Sequence, residues 1–307
     1  MFFDGFALET VQCGDVALRV RHGGEGPPVV LLHGHPRTHA TWHTVAALLA
    51  DRFTVVCPDL RGYGGSTVPP DEANHAQASK RAMAADIASL MDALGHERFA
   101  VVGHDRGGYV AFRAAADHPD RIAALTTIGH AVPISEALAR IDLRFAREWW
   151  HWFFLGQTGK PAETVIAAIG PEHWYRINGP EVMGEEAHAD VWAALQDPQV
   201  VHGMCEDYRA GVTIDVEHEH ADKAAGRRIR CPTQVLWATR EDEGLLGGDP
   251  PALRRDWADD VRGGEIDCGH HVAEEAPEAT AAALATFWDD VGWATMARDV
   301  DARARTG

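Results

Sequence analysis

Hydrophobic positions along this chain fall into short apolar runs separated by longer stretches with helical spacing. Residues 8–12 and 16–21 flank Cys13-Gly14-Asp15 and predict an opening antiparallel hairpin. Apolar runs at 29–32, 54–57, 99–102, 122–128 and 233–237 predict strands buried on both faces, and 264–267 predicts a last short strand. Residues 82–94 carry apolar side chains at helical spacing until Gly95 stops them; 109–117 repeats the pattern, and 277–291 predicts a closing helix. This alternation implies an α/β fold, a mostly parallel eight-stranded sheet with helices on both faces. Ligands bind beyond the carboxyl ends of the strands in such sheets. His33, Asp105, His130 and Asp242 all follow predicted strands, so they are expected on one rim.

Between residues 132 and 230 the strand pattern stops. Trp149, Trp150, Trp152, Trp174 and Trp192 fall in this stretch among helical patterns. It predicts a helical cap inserted into a core made of residues 1–131 and 231–307. A length of 307 residues suits one α/β domain with one insertion. The tail from Arg298 is charged and small, and is expected to fray.

A hydrophobic content of 46% supports a real core. The net charge of −18 argues against nucleic acid or an anionic membrane as partner, and leaves a small-molecule substrate. An anionic substrate would need a local arginine to overcome that field. Five cysteines without C-x-x-C spacing read as reduced thiols in a cytoplasm, with no metal and no cofactor expected. Residues 1–4 have no basic region or long apolar run, so a signal peptide is not expected, and without a run of about 18 apolar residues no membrane span is expected. The tryptophan-rich stretch suits a homodimer surface as well as a pocket wall.

The chemistry concentrates in Gly103-His104-Asp105-Arg106-Gly107-Gly108, placed between a strand and a helix. Strand, glycine-rich turn and helix make the nucleophile elbow of an α/β-hydrolase, with Asp105 where a serine often stands. A carboxylate there suits displacement of a leaving group from a saturated carbon, forming an ester that water then hydrolyses. His270, after Gly269, is the expected base, with His271 as competitor. The backbone N–H groups of His35 and Arg106 are the expected oxyanion hole. The acid that orients the base is expected at Asp242, with Glu241 and Glu243 as alternatives, because the other usual position reads Ile128-Gly129-His130-Ala131.

These residues resemble the haloacetate dehalogenases, the family that includes fluoroacetate dehalogenase. The resemblance covers nearly the whole chain. It rests on His33-Gly34-His35-Pro36-Arg37, the segment Asp59 to Gly64, the elbow, and the segment Gly269 to Glu278. Its most specific pieces are Trp150-His151-Trp152-Phe153-Phe154-Leu155 and Glu206-Asp207-Tyr208-Arg209-Ala210. The resemblance implies an α/β-hydrolase fold with a lid, and His151, Trp152 and Tyr208 as donors to a departing halide. It also implies Arg106 as a ligand for the substrate carboxylate. Tyr109 stands where the family has a second arginine, and His130 where it has its acid.

A hydrolytic dehalogenase acting on a small halogenated acid or related organohalide is therefore the leading reading. An epoxide hydrolase using the same Asp105 and His270 pair is the alternative, with Tyr208 and either Tyr109 or Tyr175 as acids. A non-catalytic ligand-binding protein on the same scaffold is a third.

Overall fold

A computed structural model describes residues 2–129, 132–240 and 249–295. Eight strands form one sheet: β1 (Ala7–Cys13), β2 (Val16–Gly23), β3 (Pro28–Leu32), β4 (Thr54–Pro58), β5 (Phe99–His104), β6 (Ile122–Ile128), β7 (Thr233–Ala238) and β8 (Val261–Ile266). Their order is β1-β2-β4-β3-β5-β6-β7-β8. Only the β1–β2 and β2–β4 pairs are antiparallel. The chain is thus an α/β protein with a mostly parallel sheet.

The inner strands are apolar throughout because both faces are covered. Val30, Leu32, Val56 and Val101 face a core with the helices Lys80–Ala93 and Arg106–Asp117. Val29, Leu31, Val55 and Val102 point the other way, against His43–Leu49 and Pro277–Asp290. Alternate residues of one strand therefore supply two cores, as pleating requires.

Element ends differ from the sequence pattern where polar contacts set them. The second helix begins at Lys80 because the Ser79 side chain accepts from the N–H of Ala82 at 3.2 Å. β8 begins at Val261, ahead of the apolar signal, because this edge strand is half-exposed and carries Arg262, Gly263 and Gly264. The short helix His43–Leu49 was not marked by any clear periodicity.

From Ile134 to Ala224, between β6 and β7, the described residues form helices and connecting turns and no strand. All five cysteines are free and buried. Among the described residues, no helix is long and apolar enough to cross a membrane. His130, Glu241, Asp242, Glu243 and the tail from Arg298 lie outside the described residues.

Candidate active site

β5 ends at His104, and the chain turns sharply at Asp105 before Arg106–Asp117 begins. Asp105 adopts φ 51° and ψ −119°, a conformation L residues rarely hold. The turn is kept by the Asp105 N–H donating to the Ile128 carbonyl at 3.1 Å and by the Gly108 N–H donating to the Asp105 carbonyl at 2.9 Å. The loop after β3 packs against this elbow. A Cβ on Gly34 would lie 2.5 Å from both Cβ and Oδ1 of Asp105, so only glycine fits. That close approach brings the His35 N–H to Oδ1 of Asp105 at 2.7 Å.

Burial would raise the Asp105 pKa. The charges of His270, His104 and Arg106, with the His35 amide, outweigh it and hold the carboxyl below its usual range. A carboxylate ionised at neutral pH can act as a nucleophile or as an acceptor.

In front of Asp105 lies a cavity of about 370 Å³. The sheet side of its wall contributes His35, Asp105, Tyr109, Ile128, His270 and His271; the helical segment contributes Val132, Glu148, Trp149, His151, Trp152 and Tyr208. Eight sequence candidates therefore meet here: Asp105, His270, its competitor His271, His35, Tyr109, His151, Trp152 and Tyr208. Burial lowers the His151 pKa to about 4 and that of His35 to about 3, so both rings are neutral at pH 7 with one N–H each. Burial, then the Asp105 charge, pushes the Tyr208 phenol well up, so it stays a donor. Trp152 packs edge-on to Tyr109 and stacks on Trp149 with ring centroids 5.1 Å apart.

His270 and His271 both reach the cavity, with ring centroids 4.8 Å apart. Of the neighbouring charges, that of His270 does most to lower the Asp105 pKa. Burial, and next Arg37, press the His271 pKa far below its ordinary value. Glu275 fixes this loop: its carboxylate accepts from the N–H of Gly269 at 2.7 Å and from that of His271 at 3.2 Å, on either side of His270.

The side chain of Arg106 is not on the cavity wall. It is 1% exposed, and its guanidinium is spent on Asp207: Nε to Oδ2 at 2.9 Å, Nη2 to Oδ1 at 2.9 Å and Nη2 to the backbone oxygen at 2.7 Å. Asp207 also accepts from Tyr63 at 2.6 Å and from Lys80. Arg106 lies over the rings of Tyr208 at 4.3 Å and Tyr109 at 5.2 Å. This departs from the expected role of its side chain as a substrate ligand, and the reason is the carboxylate brought opposite it by the helix Pro198–Gly211. Tyr175 is likewise off the wall, though its ring lies 5.6 Å from that of His35.

Sequence reasoning assigned no role to Asp207, Glu274, Glu275 or Glu148. Signals existed for some. Asp207 directly precedes Tyr208, and Glu275 follows Gly269 at the distance a loop-capping carboxylate needs. For metal binding, the described residues offer one group, Asp71, His202 and Glu206. None of them lines the cavity, and Lys160 and Arg209 already neutralise their carboxylates.

The family model for the alpha/beta hydrolase fold matches residues 27–277. The chain belongs to the α/β-hydrolase family. Within it, the resemblance to fluoroacetate dehalogenase holds: the Burkholderia sp. enzyme of that name is 39% identical, covering 94% of this chain and 95% of its own. A soluble epoxide hydrolase from Corynebacterium sp. is 32% identical over 83% of this chain and 87% of its own. A solved structure of a candidate epoxide hydrolase from Pseudomonas aeruginosa superimposes with TM-score 0.87 at 39% identity, over 96% of this chain and 99% of that one. These relatives make this α/β-hydrolase an enzyme of hydrolytic type, with dehalogenases and epoxide hydrolases as its neighbours.

Proposed function

We propose that this α/β-hydrolase is a hydrolytic dehalogenase acting on a small halogenated acid or related organohalide. One observation carries the reading: the ionised carboxylate of Asp105 faces, across one cavity, a wall that presents His151, Trp152 and Tyr208. Imidazole N–H, indole N–H and phenol O–H are donors suited to a leaving halide in a site poor in water.

In this reading residues 132–230 are a lid over a core of 1–131 and 231–307. A carboxylate oxygen of Asp105 attacks the carbon bearing the halogen. The C–O bond forms as the carbon–halogen bond breaks, and halide leaves with the electron pair. His270 then takes a proton from water, and the hydroxide attacks Cγ of the ester. Negative charge develops on an oxygen that the His35 N–H already contacts in the resting state. The backbone N–H of Arg106 is the second proposed donor. On collapse the leaving alkoxide takes back the proton held by His270 and departs as the alcohol, and the Asp105 carboxyl group loses its proton to solvent to restore the carboxylate. The acid behind His270 is proposed at Asp242.

Epoxide opening is the second reading, favoured by two cavity-lining phenols, Tyr109 and Tyr208, and by the epoxide hydrolases among the relatives. One experiment separates them. His270→Ala and His271→Ala variants are incubated with chloroacetate, fluoroacetate, longer 2-haloacids and styrene oxide, with halide, diol and the mass of the Asp105 peptide measured. A halide-dependent adduct accumulating on Asp105 only in His270→Ala is expected. Diol from styrene oxide with halide from none of the acids would move the assignment to epoxide opening. Reversible binding without any adduct would make the protein a receptor.

A further inference from the structure

The wall of the cavity carries an unusual balance of charge for an enzyme whose relatives include a fluoroacetate dehalogenase. Two carboxylates, Asp105 and Glu148, line it, and no lysine or arginine does among the described residues. The guanidinium next to the nucleophile, Arg106, is turned away and compensated by Asp207, which Lys80 and Tyr63 also contact. Arg254 is wholly buried off the wall and donates to the carbonyls of Gly129 and Pro250. His35, His151 and His271 are held neutral by burial, so they offer single N–H groups and no charge. The rest of the wall is largely apolar: Pro36, Ile128, Val132, Trp149 and Trp152.

A carboxylate-bearing substrate would therefore enter between two negative groups with no lysine or arginine on the described wall to pair with it; His270, the remaining titratable group there, must be uncharged to act as the proposed base. Displacing water from such an anion is costly unless a cation or several donors replace it. Of the donors present, His151, Trp152 and Tyr208 are already assigned to the departing halide, which leaves a substrate carboxylate only the neutral groups of Tyr109, His35 and His271. The overall charge of −18 opposes approach of an anion as well.

We propose that the cavity selects an uncharged organohalide, such as a haloamide or a haloalkane of similar size, over a haloacid anion. This inference rests on the dehalogenase reading and narrows its substrate. Glu148, exposed at the rim, is a specificity-determining residue in this scheme, because its carboxylate adds repulsion where an anionic substrate enters.

The test compares chloroacetamide with chloroacetate, which are nearly equal in size and differ by one charge. Chloride release by the intact enzyme is measured with Asp105→Asn as background, which removes alkylation of thiols. Each kcat/KM is divided by that compound's rate with free acetate ion, to cancel intrinsic reactivity. The amide is expected to exceed the acid by about tenfold or more, the scale of one uncompensated like-charge contact. Glu148→Gln is expected to raise the chloroacetate value about threefold, the size of a rim charge effect. A ratio near or below one overturns the inference while leaving the dehalogenase reading intact. An unchanged ratio in Glu148→Gln overturns the role of the rim carboxylate. Chloride from neither compound, with no Asp105 adduct in His270→Ala, overturns the dehalogenase reading and this inference together.

Discussion

Arg37 and Glu274 form a two-pronged ion pair, Nε to Oε1 at 2.7 Å and Nη2 to Oε2 at 3.1 Å. Arg37 stands two residues after His35, and Glu274 four residues after His270. The pair therefore ties the loop whose amide touches Asp105 to the loop that carries the proposed base. Thr41 and Asn178 donate to the same carboxylate at 2.8 Å each, and the ion pair is sealed from solvent. Relative position of the two loops is thus set by one buried carboxylate.

Glu274→Gln should test that linkage. The amide keeps the shape and some hydrogen bonds but leaves Arg37 charged and uncompensated. Removing one member of a buried pair typically costs about 3–5 kcal/mol, and the retained hydrogen bonds place this variant near the lower end. Urea unfolding should show the loss. If the pair positions His270, kcat should fall further than KM rises. A variant that loses stability but keeps kcat would leave the pair a purely structural tie.

Gly34→Ala should be far more damaging to activity than to folding. The new Cβ would collide with Cβ and Oδ1 of Asp105, and the loop must retreat, carrying the His35 N–H with it. Loss of one such donor lowers kcat by about 10²–10³-fold in a comparable hydrolase. Rapid-quench measurement should place the loss in ester hydrolysis, with adduct on Asp105 building up. Wild-type turnover from Gly34→Ala would mean that the amide contact in the resting state has no catalytic counterpart.

How much of this was legible in the sequence follows from how local each signal is. The buried strands announce themselves as apolar runs because both their faces are covered. Asp105 and its flanking glycines are legible because the turn chemistry lies within six consecutive residues. Only the end of β8 is legible: its start at Val261 is not, because an edge strand with Arg262 and two glycines carries little apolar signal. The pairing of Arg106 with Asp207 joins residues 101 positions apart, and that of Arg37 with Glu274 joins residues 237 apart. No periodicity reports such contacts. A resemblance marks Arg106 as a substrate ligand, yet the partner that claims its guanidinium comes from a helix whose docking only the fold decides. Glu275 was visible as a letter in a motif, while its work of holding two amides around His270 was not.

Glu219 supplies a pH-dependent element at the entry to the helical segment. Its carboxyl group accepts from the N–H groups of Ile134 at 3.2 Å and Ser135 at 2.7 Å, just after the cavity residue Val132. Burial raises its pKa from 4.5 to about 7, against the lowering effect of these contacts. The folded pKa is above the unfolded one, so between pH 4.5 and 7 the folded chain holds a proton that the unfolded chain has lost. Stability therefore falls as pH rises through that window, by roughly 3 kcal/mol in all, and is flat beyond it. Glu219→Gln keeps an acceptor oxygen and cannot ionise. Its unfolding free energy relative to wild type should climb by about that amount from pH 4.5 to 7.5, because only wild type must bury a charge at the upper end. Urea unfolding of both proteins across the range reads the difference directly, since every other titrating group is shared. Parallel curves would show that Glu219 is already ionised in the folded protein at pH 4.5, and that the two amides of Ile134 and Ser135 outweigh its burial.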